Sequence, residues 1–194
     1  MIVHLVSMSG GKDSTATALL ALELHGRDAC RFVFADTGNE HQAVYDYLAY
    51  LESALGIEII RLKRDLSDEW WHRRDYVREV WPTKLVKEGY SNHDEIVTRA
   101  LSVLDQGPTG NPYLDLCILK SRFPSRRAQF CTQCLKTEPL TELAMSIIDN
   151  EGAAVWSWQG IRAEESPHRA REPEFEEVGG GAVHQSAYQA LEGV

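Results

Sequence analysis

Ser9-Gly10-Gly11-Lys12-Asp13-Ser14 combines the residue types that hold a polyanion. Two adjacent glycines let the backbone pass close to a ligand and adopt angles that a β-carbon forbids. Lys12 carries a full positive charge, and Ser9 and Ser14 carry hydroxyl donors. The stretch follows a short apolar run, Met1 to Val6, and leads into a helical run, Thr15 to His25. A helix start leaves N–H groups without intrahelical partners and carries partial positive charge, which suits phosphate. Strand, glycine turn and helix N-terminus together fit a nucleotide pyrophosphate. The spacing is neither G-x-x-x-x-G-K-[ST] nor G-x-G-x-x-G. The competing reading is a glycine-rich strand-to-helix turn with no ligand.

Three further constellations could carry chemistry. Asp36-Thr37-Gly38 directly follows an apolar run of strand length, Cys30 to Ala35. Ligands of open parallel sheets sit at the carboxyl ends of the strands, where this loop and Ser9–Ser14 both belong. A helix N-cap with an Asx-type turn is the structural alternative for Asp36. Between Leu116 and Thr137 stand Lys120, Arg122, Arg126, Arg127 and Lys136 without an acid. Guanidinium forks match phosphate or sulfate oxygens two at a time, and a solvated basic face is the alternative. After an apolar stretch ending at Trp158 comes Gly160-Ile161-Arg162, with Arg162 again on the expected ligand side of the sheet. His168 and Arg169 follow as surface residues or as proton-transfer and anion contacts.

Cys131-Thr132-Gln133-Cys134 and Cys117 offer three thiols. A closed zinc site wants four ligands, so a histidine such as His72, His93 or His168 would have to join. A redox-active disulfide is another option. Partly buried free thiols are the simpler reading of one C-x-x-C, so no metal ligands are assigned.

The elements that must position these residues follow a β-α-β-α-β order. Ile2–Val6 is a strand and Asp13–His25 a helix, ended by Gly26. Cys30–Ala35 is the second strand, Gln42–Ala54 a helix broken by Gly56, and Ile57–Ile60 the third strand. The order predicts a single α/β domain, a parallel sheet covered by helices as a Rossmann-like three-layer sandwich. A charged helical insertion with Trp70 and Trp71 occupies about residues 66–125; core, partner surface and lid are all open for these tryptophans. Gly107 to Pro112 is the clearest loop. Thr137–Asn150 is helical and Ala153–Trp158 a strand. The domain is expected over 1–178, with 164–194 as loop and 179–194 as a flexible tail containing Gly179-Gly180-Gly181.

Composition bounds the function. The 194 residues are 43% hydrophobic and 25% charged, ordinary for a globular domain, with no apolar run of membrane-span length. The chain enters a strand at once, with no signal-peptide pattern, so a cytoplasmic location is expected. Net charge is −9, which disfavours broad nucleic-acid binding. The local basic stretch fits a small anion, and leaves a short or single-stranded nucleic acid open.

Taken together, the four blocks carry a resemblance. S-G-G-K-D-S resembles the PP-loop of the ATP pyrophosphatase superfamily (adenine nucleotide alpha hydrolase-like), and within it the phosphoadenosine phosphosulfate (PAPS) reductase-like family. Phe34-Ala35-Asp36-Thr37-Gly38-Asn39-Glu40 is similar to that family's F-x-D-T-G-x-E. Arg127, Cys131, Lys136 and Pro139 resemble its R-x-C…K-x-x-P block. Gly160-Ile161-Arg162-Ala163-Glu164-Glu165-Ser166 resembles G-I-R-x-x-E-S.

The resemblance implies an adenine nucleotide, ATP or of PAPS type, held by Ser9, Gly10, Gly11, Lys12, Asp13 and Ser14. Adenine would lie by the backbone near Phe34 and Ala35, and Asp36, Thr37 and Gly38 beside ribose, phosphates or Mg²⁺. Arg126, Arg127, Lys136 and Arg162 would hold the sulfate or 3′-phosphate, with Glu165 and Ser166 orienting the last loop. Lys12, Asp13 and Arg162 are the catalytic candidates of an oxidoreductase or transferase of sulfur metabolism. Some superfamily members carry a three-cysteine iron–sulfur cluster, which Cys117, Cys131 and Cys134 would have to supply here; free thiols remain the preferred reading.

Thiol-dependent reductases of this family attack sulfur with a cysteine in a C-terminal E-C-G-[IL]-H segment, and this sequence has none. Reduction by that route is therefore not expected unless Cys131 or Cys134 supplies the nucleophile. Two alternatives stay open: an ATP pyrophosphatase that adenylates an acceptor for sulfur transfer or nucleic-acid modification, and a non-catalytic nucleotide-binding regulatory subunit. A protein thiol donor or acceptor is an expected partner and a homodimer is compatible; a membrane is not.

Overall fold

In the computed structural model, residues 1–161, 171, 176–178 and 183–189 are described. They form two compact units: residues 1–36, 40–62 and 136–194, and residues 37–39 with 63–135.

The first unit is α/β. Its elements are β1 (Ile2–Met8), α1 (Lys12–His25), β2 (Cys30–Ala35), α2 (Gln42–Leu55), β3 (Ile59–Leu62), α8 (Glu138–Glu151), β4 (Ala154–Ile161), β5 (Glu176–Val178) and β6 (Val183–Gln189). The sheet order is β3-β2-β1-β4-β6-β5. Strands β3, β2, β1, β4 and β6 pair in parallel, and only β5 runs antiparallel, on β6.

Period-two alternation sends the strands' side chains to two apolar layers. Val6, Met8, Phe32 and Phe34 pack with Ala18 and Ala21 of α1 and Leu48 and Leu51 of α2. Val3, Leu5, Val33 and Val155 pack with Ala144 and Ile147 of α8 on the other face. Because both faces are buried, the central strands read as continuous apolar runs. This is the expected Rossmann-like three-layer sandwich.

β1 is flanked by β2 on one side and β4 on the other. The chain thus leaves β1 in one direction through β2 and β3 and returns to its other edge through β4. That is a topological switch point, the place where such sheets open a crevice beyond the carboxyl ends of the strands.

The second unit is helical: α3 (Ser67–Glu79), α4 (Trp81–Lys87), α5 (His93–Leu104), α6 (Pro112–Lys120) and α7 (Phe130–Thr132). Leu66, Trp70, Val77, Leu104, Leu116, Leu119 and Leu135 form its core. Trp70 is 1% exposed and its indole N–H donates to Leu104 O at 2.9 Å. Trp71 is on the surface, with the Arg74 guanidinium 4.7 Å above its ring. The tryptophan pair is therefore split between core and surface. Pro82 does not end a helix; it lies in the first turn of α4, where its missing N–H has no intrahelical role.

Two expectations need correction. Gly160 and Ile161 are not beyond the strand but its last residues. The loop expected over 164–194 contains two strands, β5 and β6. Residues 183–189 are mostly polar and carry little periodic signal; the backbone ladder with β4 supplies the pairing instead. The Cys131–Lys136 stretch is helical. Cys131 falls in α7, and Gln133–Thr137 form a π-helical turn leading into α8.

Candidate functional site

The turn after β1 is built around Ser14. Its hydroxyl donates to Gly11 O at 3.0 Å and accepts from the Ser9 amide and the Ser9 hydroxyl, both at 3.1 Å. Ser14 is 4% exposed. The two serines therefore close the loop on itself and fix the glycines between them.

Gly10 has φ +72°, and a β-carbon there would lie 2.8 Å from Val44 Cγ1 of α2. Left-handed backbone and lack of space both demand glycine. Gly11 is the N-cap of α1 and offers no side chain to its amides. The first intrahelical bond runs from Thr15 N to Gly11 O, so the amides of Lys12, Asp13 and Ser14 precede any i−4 carbonyl. The 14-residue helix α1 adds its dipole at this end, and Lys12, exposed at the first helical position, adds its ammonium.

Gly160 of β4 comes against this helix start. A β-carbon on it would meet Asp13 C at 2.8 Å, Asp13 O at 2.9 Å and Ser14 N at 3.0 Å. The fourth motif thus touches the first one backbone to backbone at the switch point between β1 and β4. Arg162, Glu165, Ser166, His168 and Arg169 lie outside the described residues.

Asp36 follows β2, and its amide donates to Leu62 O at 2.8 Å. Its carboxylate accepts a 2.7 Å hydrogen bond from the Tyr45 hydroxyl of α2. Burial, then the neighbouring Asp36 carboxylate and Glu40, pushes the Tyr45 hydroxyl up to about 12, so it remains a donor throughout the physiological range. The Tyr45 ring meets the buried Phe34 ring edge-on, with centroids 6.0 Å apart. Phe34's side chain is thus core.

Thr37, Gly38 and Asn39 group with the helical unit. Tyr113 N donates to Thr37 O at 3.0 Å, and Asn111 Nδ2 donates to Gly38 O at 2.7 Å. Asn111 Oδ1 meanwhile caps α6, accepting from Tyr113 N and Leu114 N at 3.0 and 3.1 Å. One amide side chain therefore serves both the helix start and the motif loop. Asp115, 4% exposed, accepts from the Thr109 amide and hydroxyl and braces the 109–111 backbone.

The basic stretch divides. Ser125 and Ala128 bond backbone to backbone in both directions, at 3.2 and 3.0 Å. Arg126 and Arg127 are the two central residues of that tight turn and are exposed. Lys136 belongs instead to the sheet unit, where its ammonium is 3.6 Å from Glu40. The structure so joins the third motif's lysine to the second motif's glutamate.

Among the described residues no group of three or more His, Cys, Asp or Glu could hold a metal ion. Cys117 is buried, and burial, helped by Cys131 nearby, raises its thiol above the usual range. Cys131 and Cys134 pack against the helical unit's core.

Tyr45 and Asn111 escape sequence reading, although Asn111-Pro112 is a helix-start signal inside the supposed loop. Tyr45 carries no local signal, since its contact with Asp36 exists only once α2 packs on β2.

A 37.8 kDa protein of Escherichia phage 186 is 44% identical over 179 residues, covering 90% of this chain and 52% of the phage protein. The nin-region ORF290 protein of Escherichia phage lambda is 29% identical over 167 residues, covering 84% of this chain and 49% of its own length. A Methanocaldococcus jannaschii protein is 38% identical over 69 residues, 36% of this chain and 14% of the other. The chain thus spans about half the length of the two phage relatives. A family model, the phosphoadenosine phosphosulfate reductase domain, matches residues 3–102, a range that holds the Ser9–Ser14 cradle, the Asp36–Gly38 loop and Tyr45. The chain belongs to that PAPS reductase-like family of the PP-loop superfamily.

Proposed function

We propose that the protein is an enzyme that binds an adenine nucleotide, an adenylyl sulfate or ATP, at the Ser9–Ser14 cradle and acts at its phosphate or sulfate group. The observation that carries this reading is the cradle itself. Ser14 closes the loop, Gly10 and Gly160 let α2 and β4 pack directly against it, and the amides of Lys12, Asp13 and Ser14 lie at the positive end of α1. Such fixed donors stabilise charge that develops on a leaving pyrophosphate or sulfonyl group. Lys12 neutralises that charge. Asp13 and Arg162 complete the catalytic set, and Lys136 takes the more distant anionic group. A magnesium ion would arrive coordinated by the nucleotide's phosphates, with one or two protein carboxylates completing its shell.

Two of the four thiols, Cys30 and Cys117, are unsuited to attack on sulfur, which leaves the half-buried Cys131 and Cys134 as the nucleophiles an adenylyl sulfate reaction would need. A nucleophilic cysteine needs an electropositive, partly open surrounding that stabilises the thiolate. Cys30 is buried, its thiol donates to Ala21 O, and burial raises it; Cys117 is raised likewise. In the ATP reaction an acceptor atom bonds to the α-phosphorus. The bond from that phosphorus to the bridging oxygen breaks, and pyrophosphate leaves with the electron pair.

The test is calorimetric binding of ATP and of PAPS, with pyrophosphate release measured alongside. Lys12→Ala removes a charge-assisted contact of about 1.5–3 kcal/mol, so affinity falls roughly 10- to 150-fold. Unchanged affinity in Lys12→Ala refutes the site. Tight PAPS binding without ATP binding refutes the adenylating reaction.

A further inference from the structure

We infer that Tyr45 is a positioning residue of the nucleotide site, orienting the Asp36 carboxylate toward the nucleoside part of the ligand; the inference rests on the reading above. Tyr45 is on α2, outside every motif of the sequence, yet its hydroxyl is 2.7 Å from Asp36 Oδ1. Asp36 directly follows β2 on the ligand side of the sheet, one strand from the cradle. An aspartate side chain at a strand end turns about χ1 and χ2. A hydrogen bond from a rigid aromatic side chain removes that freedom.

The Tyr45 ring is itself fixed. It stands edge-on to Phe34, which is 2% exposed, and packs on the apolar layer formed with α1 and α2. The hydroxyl is held protonated by its burial and by Asp36 and Glu40, so it donates and never competes as an anion. The order of support is therefore β2 core to Phe34, Phe34 to Tyr45, Tyr45 to Asp36. A side chain whose role were only packing would need no hydroxyl at the carboxylate.

The test separates the nucleoside from the phosphates. Dissociation constants for ATP and for inorganic pyrophosphate are measured without divalent metal, on the wild type, Tyr45→Phe, Asp36→Asn and Lys12→Ala. Tyr45→Phe keeps the ring and removes one hydrogen bond. It is expected to weaken ATP about three- to tenfold and to leave pyrophosphate unchanged. Adding it to Asp36→Asn is expected to cost nothing further. Lys12→Ala is expected to weaken both ligands. If Tyr45→Phe leaves ATP binding unchanged while Lys12→Ala weakens it, the positioning role is overturned and the site stands. If Tyr45→Phe weakens ATP and pyrophosphate equally, the role is structural and the inference is again overturned. If wild type binds neither ligand, the nucleotide reading fails and takes the inference with it.

Discussion

Gly160→Ala places one methyl group where β4 meets the start of α1, and the structure says what it would strike. The new carbon would lie 2.8 Å from Asp13 C, 2.9 Å from Asp13 O and 3.0 Å from Ser14 N. All three are backbone atoms, so no rotamer change relieves the contact. Ordinary van der Waals separations are about 3.5–4.0 Å, so strand and helix must part by several tenths of an ångström. Overpacking of this kind costs about 1–3 kcal/mol. The same shift moves the Asp13 and Ser14 amides that would face phosphate, and such sites tolerate only about 0.5 Å of error. Stability should thus fall by about 1–3 kcal/mol, and nucleotide affinity by about tenfold or more beyond any effect of unfolding. Urea unfolding gives the first quantity and calorimetry at 10 °C the second. A Gly160→Ala protein with wild-type stability and wild-type ATP affinity would refute the close approach and the placement of the cradle against β4.

Two further outcomes follow from the same geometry. Asn111→Asp keeps the α6 cap and loses the donor to Gly38 O, so nucleotide affinity should fall while stability changes by less than about 1 kcal/mol; Asn111→Ala should cost about 1–2 kcal/mol in addition. Calorimetry and urea unfolding on the two variants separate the roles, and equal stability loss in both would contradict the division. His4 is 5% exposed, stacks on His25 with ring centroids 3.6 Å apart, and accepts at Nδ1 from the Trp158 indole N–H at 3.0 Å. Burial first, and His25 second, lowers it to about 4. Its folded value lies below its unfolded one, so its contribution is complete above about pH 6.5, is lost as pH falls toward 4, and totals at most about 3 kcal/mol. Unfolding free energies from pH 8 to pH 4 should therefore fall more steeply in wild type than in His4→Gln, and parallel curves would exclude the effect.

What the sequence shows of the fold depends on where burial is two-sided. Cys30–Ala35 is bounded correctly at both ends because Phe32, Val33 and Phe34 face buried layers on both sides of the sheet. β3 is misplaced by two residues for a local reason. Ile57 looks like its first residue, but its amide bonds back to Glu52 O and its side chain packs under the α2 terminus after Gly56. The cradle is legible as a string, because glycine, lysine and serine each have a local role there. The hydroxyl of Ser14 is not, since only the folded turn shows it bonded inward. The π-helical turn at Gln133–Thr137, which carries Lys136 of the basic stretch, has no sequence signature.

The Asp36–Thr37–Gly38 loop is where these threads meet. Within the sheet unit, Tyr45 fixes the Asp36 carboxylate. Within the helical unit, Tyr113 and Asn111 fix the carbonyls of Thr37 and Gly38. Loops normally carry the mobility of a fold, yet three consecutive residues of this one are each held by a different partner outside the loop. Asn111 would cap α6 equally well with its amide nitrogen turned to solvent, and Tyr45 would pack on Phe34 without a hydroxyl. Electrostatic catalysis requires its groups to be oriented before the charge appears, because reorientation during the reaction consumes the stabilisation they provide. Under the proposed function, a motif loop with its carboxylate and two carbonyls fixed in advance would meet that requirement, as would the cradle closed by Ser9 and Ser14.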